Sequence, residues 1–260
     1  MTVNIKKEDH ILLIEIDRPK KYNALTREMY SIMAQAYYKL DQDDDLWVGV
    51  VYANGPHFTS GLELTDWADS FAQGLGFPLN DKNEIDPFYM INEVRCRKPI
   101  VYAVQGYCFT WGVEMMLNAD IRVAASDTRF GMLEVRRGFF PCGGATLRLT
   151  KEMGRANAMR HLLTGDEWSA EDAYRMGLVQ FVTEPGKQLE KAMEMARRVS
   201  AAAPLGVRNI LKNSRTAELQ GEQAAKQSIF QDLSEIMKSE DMKEGLQSFI
   251  ERRAAVFKGR

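Results

Sequence analysis

One pattern recurs through the first half of this chain: a short apolar run, a glycine-bearing turn, and the opening of a helix. His10–Asp17 reads as a buried strand, turned at Arg18-Pro19, before a helix from Thr26 to about Gln42 with Met29, Ile32, Met33, Ala36 and Leu40 on one face. Leu46–Tyr52 is the next strand, turned by Asn54-Gly55-Pro56, and a helix is expected to open at Ser60-Gly-Leu-Glu63. Pro99–Val104 begins a third copy, turning at Gly106 and entering a helix near Trp111–Leu117, and Asp120–Ala125 is a fourth strand. Strands alternating with helices at this spacing predict an α/β fold with mainly parallel pairing, because parallel neighbours need a crossover between them.

After about residue 145 the character changes. Segments 146–161, 169–176, 187–203, 205–217, 219–238 and 240–257 read as helices, broken by one short strand candidate at 177–182. The chain therefore divides into a core, 1–186, and a helical C-terminal region, 187–260, rich in Lys, Glu, Ala and Met, that reads as a surface or subunit-packing layer. Residues 66–92, with Gly74, Gly76, Pro78 and Pro87, form a long connection of the kind that serves as a lid or substrate wall.

Several classes fall away. With 34 basic and 36 acidic side chains in 260 residues and no basic block, the chain lacks the field that captures nucleic acid. Cys96, Cys108 and Cys142 form no C-x-x-C pair, and His10, His57 and His161 lie far apart, so neither a disulfide framework nor a metal site is expected. Met1–Lys7 leads into a strand-like segment rather than a secretory leader, and no run of about 18 apolar residues is present. The expectation is a soluble, cytoplasmic protein without a membrane partner. Gly74-Leu-Gly lacks the third glycine and preceding strand of a dinucleotide fingerprint, and no G-x-S-x-G elbow occurs.

What remains is the junction between turn and helix. First-turn amides have no intrahelical acceptor, and the helix dipole adds positive potential there, so each junction can hold a developing oxyanion. Gly61-Leu62 at one junction and Thr110-Trp111-Gly112 at another would each supply one N–H to a common point. Preorganised donors of this kind are worth roughly 3–4 kcal/mol apiece in other enzymes. Ser60 and Glu63 fit the S-x-x-E capping box, which makes Glu63 a cap rather than a catalyst. Glu114 falls one position outside such a box and sits among Val113, Met115, Met116 and Leu117. Apolar surroundings disfavour its charged form and raise its pKa toward the working range of an acid or base. Glu134, by spacing alone, pairs equally well with Arg136 or Arg137.

Taken in order, Arg18-Pro-Lys-Lys-Tyr-Asn-Ala-Leu25, Phe58-Thr-Ser-Gly-Leu-Glu-Leu64, Lys98–Gly106, Gly112–Ala124, Phe130-Gly131, Gly138–Gly144, Arg148-Leu149, Leu163-Thr-Gly165 and Ala170–Val179 resemble the crotonase superfamily, the enoyl-CoA hydratase/isomerase family, from Leu12 to Lys258. The resemblance implies a spiral of repeated ββα units with a helical C-terminal region that builds trimers, often paired into hexamers. It implies an acyl-CoA thioester as substrate, coenzyme A being part of that substrate and no separate cofactor being needed. It makes Leu62 and Trp111 the oxyanion donors and Glu114 and Glu134 the catalytic pair of a hydratase. Contacts to the CoA moiety map to Lys21, Tyr22, Ala24, Ser60, Gly61, Leu62, Leu64 and Gly112, with Phe257 and Lys258 in the closing helix as further candidates. Two departures stand out: Thr110 and Trp111 occupy positions where hydratases carry glycine, and Arg136 and Arg137 replace apolar residues. The alternatives are an isomerase using one glutamate as proton shuttle, and an acyl-CoA-binding paralogue whose channel is plugged by the Trp111 indole.

Overall fold

The computed structural model describes residues 2–91 and 94–260; Met1 and Asn92, which begin and end two of the segments expected above, lie outside them. The apolar runs form one six-stranded sheet in the order β1 (Val3–Glu8), β2 (Ile11–Ile16), β3 (Val48–Ala53), β4 (Ile100–Val104), β6 (Ile121–Ala125) and β9 (Phe181–Thr183). Only the β1–β2 pair is antiparallel; the others run parallel. These strands read as continuous apolar runs because both faces are covered. Leu12, Ile14, Val51, Tyr102 and Val104 point into the larger core with α1 (Arg27–Gln42), while Ile11, Leu13, Val50, Val101 and Val123 pack against Ala192, Met193 and Ala196 of α7 (Gln188–Ser200). The first helix of the C-terminal region thus forms the second cover of the sheet. Thr26 caps α1 by accepting from the Met29 amide, as its position before the apolar periodicity requires.

The strand expected at 177–182 is shorter and later. Gly177 turns the chain at φ 86°, and Gln180 is spent on Arg122, its amide donating to the Arg122 carbonyl and its side chain accepting from the Arg122 amide. The helix expected over 146–161 is two, α4 (Ala145–Glu152) and α5 (Arg155–Thr164), divided at Gly154, whose φ of 74° no continuing helix adopts. The segments at 169–176, 205–217 and 219–238 become α6 (Ala170–Arg175), α8 (Pro204–Gln220) and α9 (Glu222–Ile236). The closing helix, α10 (Glu240–Glu251), stops short of residue 257. Arg252 caps it in the left-handed region, and the tail folds back so that Asp241 accepts from the Lys258 and Gly259 amides at 2.7 and 2.9 Å.

A second, three-stranded sheet was not legible in the periodicity: β5 (Tyr107–Phe109), β7 (Arg129–Gly131) and β8 (Trp168–Ser169). Its strands are two or three residues long, too short to show alternation. It completes the repeat, since β4 and β6 each enter the large sheet and are followed by a strand of the small one. Around β5 the chain lays distant segments side by side. Thr59 donates to Tyr107 and accepts from Phe109, Leu25 donates to Gly61 while Glu63 donates to Leu25, and Thr110 donates to Gly131 at 2.7 Å. The architecture is the spiral ββα fold with added helices. Among the described residues, no helix is long and apolar enough to cross a membrane.

Candidate active site

Those cross-links bring the two turn-to-helix junctions together. Thr110 precedes α3 (Trp111–Met116) at φ 50° and ψ −114°, a conformation that costs a non-glycine residue of order 1–3 kcal/mol. Its bond to Gly131 holds it there. Opposite, Gly61 has φ 115°, and a Cβ at this position would fall 2.4 Å from Thr110 Oγ1, so only glycine fits.

The Trp111 indole does not enter the cavity as a plug. It is 1% exposed and packs near Phe58 and Phe88, and its Nε1–H donates to the Gly61 carbonyl at 2.5 Å. That carbonyl belongs to the peptide unit whose other edge is the Leu62 N–H. In a trans peptide the two point in opposite directions, so anchoring the oxygen turns the Leu62 N–H away from the indole. The amides of Leu62 and Trp111 have no internal acceptor among the described residues. Both residues line one cavity of about 120 Å³ together with Glu114, Glu134, Arg137 and Cys142.

The carboxyl groups are held differently. Glu114, on α3, is 2% exposed, and its Oε1 accepts from the Gly143 and Ala145 amides at 2.8 and 3.1 Å. Burial pushes its pKa up to about 7, while the two amides and nearby Arg148 oppose that rise by favouring the anion. Glu134 opens a 3-10 turn, Glu134–Arg137, and its Oε2 is buried without a hydrogen-bond partner. Burial, then repulsion from Glu114, lifts it to about 8. Both carboxyls are thus raised, and it is Glu114 whose anion meets two amide donors, while the buried Oε2 of Glu134 meets none. Cys142 lies beside them, its thiol pushed up to about 12 by burial and by both carboxylates.

The expected CoA contacts fall into two groups. Ser60, Leu62 and Leu64 line the cavity. Lys21, Tyr22 and Ala24 lie on the adjoining strip, the Ser60 amide donating to the Tyr22 carbonyl at 2.9 Å; Lys21 and Tyr22 are exposed. Gly61 and Gly112 are buried, and Gly112 lets α3 approach Thr59, whose Cγ2 would sit 2.4 Å from an added Cβ. Phe257 and Lys258 are not part of a closing helix and do not line this cavity; Lys258 is bonded at the start of α10. The capping box is also absent. Helix α2 (Leu64–Ala72) begins after Glu63, whose carboxylate instead pairs with Arg18 at 3.0 Å. Among the described residues no group of His, Cys, Asp and Glu is arranged to hold a metal ion.

Sequence reasoning missed the partners of Glu114. Gly143 is required because a Cβ would meet Glu114 Oε2 at 2.7 Å, and the available signal was the Gly143-Gly144 pair immediately before a helix. Arg148 was also missed; it donates to the Phe88 and Tyr89 carbonyls at 2.8 and 3.0 Å, tying the wall of the long connection to α4.

Comparisons with known proteins identify the family. The profile described as enoyl-CoA hydratase/isomerase matches residues 6–260. An enoyl-CoA hydratase of Mycobacterium tuberculosis is 34% identical over 261 residues, spanning 98% of this chain and 96% of its own. A mevalonyl-coenzyme A hydratase of Aspergillus fumigatus is 32% identical over 248 residues, spanning 94% and 90%. The crystal structure of a probable enoyl-CoA hydratase/isomerase from Mycobacterium abscessus superposes with a TM-score of 0.95 at 36% identity, covering 100% of this chain and 99% of that one. A family match over residues 6–260 and a relative 34% identical across 98% of the chain place it in the enoyl-CoA hydratase/isomerase family.

Proposed function

We propose that this chain adds water across the double bond of a 2-enoyl-CoA thioester. The observation that carries the reading is one cavity with two unspent amides and two carboxyls held differently, one accepting from two backbone amides and the other with a buried oxygen that nothing hydrogen-bonds. The Leu62 and Trp111 amides donate to the thioester oxygen and stabilise the negative charge that develops there, which makes the β-carbon electrophilic. Glu114 then takes a proton from water as it attacks the β-carbon. Glu134 delivers its proton to the α-carbon as the enolate collapses, and the pair exchanges one proton overall. The CoA moiety runs along Lys21, Tyr22, Ala24, Ser60 and Leu64, with Gly61 and Gly112 shaping the strip, and the reaction requires no cofactor beyond the CoA of the substrate.

Retention of both carboxyls, together with relatives named as hydratases, favours this over an isomerase working with one. The indole's turn into the core weakens the plugged-channel reading. A helical region that joins subunits into a trimer or hexamer and a cytoplasmic location, in keeping with three free cysteines, complete the proposal.

Loss of the conjugated thioester absorbance of crotonyl-CoA tests it directly. Hydration is expected; no turnover across several chain lengths, with CoA-ester binding retained, would leave a binding protein instead. Glu134→Gln is expected to lower kcat by two or more orders of magnitude with little change in affinity for a saturated acyl-CoA. Unchanged turnover would remove Glu134 from the chemistry.

A further inference from the structure

Arg137 is the sole cation among the residues that line the catalytic cavity. In a 3-10 helix the side chains at i and i+3 eclipse, so within Glu134–Arg137 the first and last residues share one face. Arg136, between them, is turned outward and occupied: it donates to the Thr164 carbonyl at 2.9 Å and pairs with Asp166 at 2.7 Å. Arg137 has no ion pair or hydrogen bond among the described residues. Gly138, at φ 88°, ends the turn and directs the chain on to Phe139, so the rim beside the guanidinium is apolar, formed by Leu133 and Phe139. The Arg137 side chain is exposed at this rim. Its charge is thus available to something that enters the cavity past the two glutamates.

We propose that Arg137 is a carboxylate subsite, and that the chain acts on enoyl-CoA thioesters whose acyl group ends in a carboxylate. This rests on the hydration reading above only for which end of the substrate lies deepest. With the thioester at Leu62 and Trp111 and the β-carbon between the glutamates, the rest of the acyl chain continues along the wall that carries Glu134 and Arg137. About 120 Å³ houses only a short acyl segment, so the far end of a longer one emerges at this rim. A carboxylate brought there without a cation would be desolvated beside Glu114, whereas a guanidinium receives it through two parallel N–H bonds. The competing anions, the CoA phosphates, follow the opposite wall in this reading, where Lys20 and Lys21 are exposed.

The test is calorimetric binding of three non-reactive probes, CoA, hexanoyl-CoA and adipoyl-CoA, to the full chain and to Arg137→Leu and Arg137→Lys. The wild type is expected to bind adipoyl-CoA at least tenfold more tightly than hexanoyl-CoA; Arg137→Leu abolishes that ratio and Arg137→Lys keeps part of it. With the corresponding 2-enoyl substrates, Arg137→Leu raises KM for the carboxylated one about tenfold more than for the six-carbon uncharged one. Equal affinity of the wild type for both acyl probes overturns the proposal. So does an equal loss for all three probes in Arg137→Leu, which would assign the guanidinium to the CoA phosphates. Because the probes cannot be hydrated, their affinity ratio stands or falls separately from crotonyl-CoA turnover.

Discussion

Glu114 and Glu134 are the same residue type in one cavity, and their surroundings give them opposite duties. Two amides and Arg148 favour charge on the first, while nothing hydrogen-bonds the buried oxygen of the second. The fold retains a proton on Glu134 up to about pH 8, whereas an unfolded chain releases it near the ordinary glutamate value of 4.5. Between those limits the native state binds more protons than the unfolded one, so this residue makes stability fall as pH rises across the window. Glu134→Gln removes the effect. Its melting temperature is expected to exceed that of the wild type at pH 9 by several degrees, with the gain shrinking or vanishing at pH 4.5, as read by scanning calorimetry. A pH-independent difference would mean that the carboxyl titrates as in the unfolded chain. Trp111 lines the cavity while its indole, buried in the core, donates to the Gly61 carbonyl and so braces the peptide that carries the Leu62 N–H.

At the scale of elements, the connection expected over residues 66–92 as a lid or wall is a packed wall through its described part. It begins as α2, and Trp67, Phe77, Ile85 and Phe88 are buried in the main core, with Tyr30 of α1 against the Trp67, Phe77 and Phe88 rings. Asp86 gathers the rest. It is 1% exposed and accepts from the Tyr30 hydroxyl and from the amides of Phe88, Met90 and Ile91. Asp86→Ala removes the acceptor shared by the Phe88, Met90 and Ile91 amides and one of the two acceptors of the Tyr30 hydroxyl, and is expected to cost about 3 kcal/mol in denaturant unfolding and to speed amide exchange in 77–91. Because Arg148 bonds to two carbonyls of the same wall, kcat should fall too; full protection of these amides in the variant would show that apolar packing alone holds the wall. The sequence pointed to a lid or wall here but gave no sign of Asp86 as the residue that ties it together.

For the whole molecule, the C-terminal region contains two physically different parts. Helix α7 is buried against the sheet, whereas α9 and α10 carry exposed apolar side chains, Phe230 at 81% and Phe249 at 82% among them, with Ile250 and Leu246 nearby in sequence. So much apolar surface on adjacent elements suits the proposed subunit contact. Truncation before residue 240 is expected to yield a species of lower mass by light scattering while the two-layered sheet core remains folded. A trimer surviving that truncation would contradict the proposed role of α10.

The spacing of apolar runs and turns in the amino-acid sequence alone was enough to determine the α/β class, the parallel strands and the glycine junctions, while the pairing of Glu114 with Glu134 came only from the resemblance to a known family. These are local: periodicity, turn chemistry and short motifs record which face a residue must bury and where the backbone must bend. Only the tertiary structure decided that Trp111 turns into the core, that Glu63 pairs with Arg18, that Gly143 and Ala145 hold Glu114, and that Arg137 lines the cavity while Arg136 pairs with Asp166. Each of those outcomes joins residues many positions apart through strands too short, or bends too irregular, to leave a period behind.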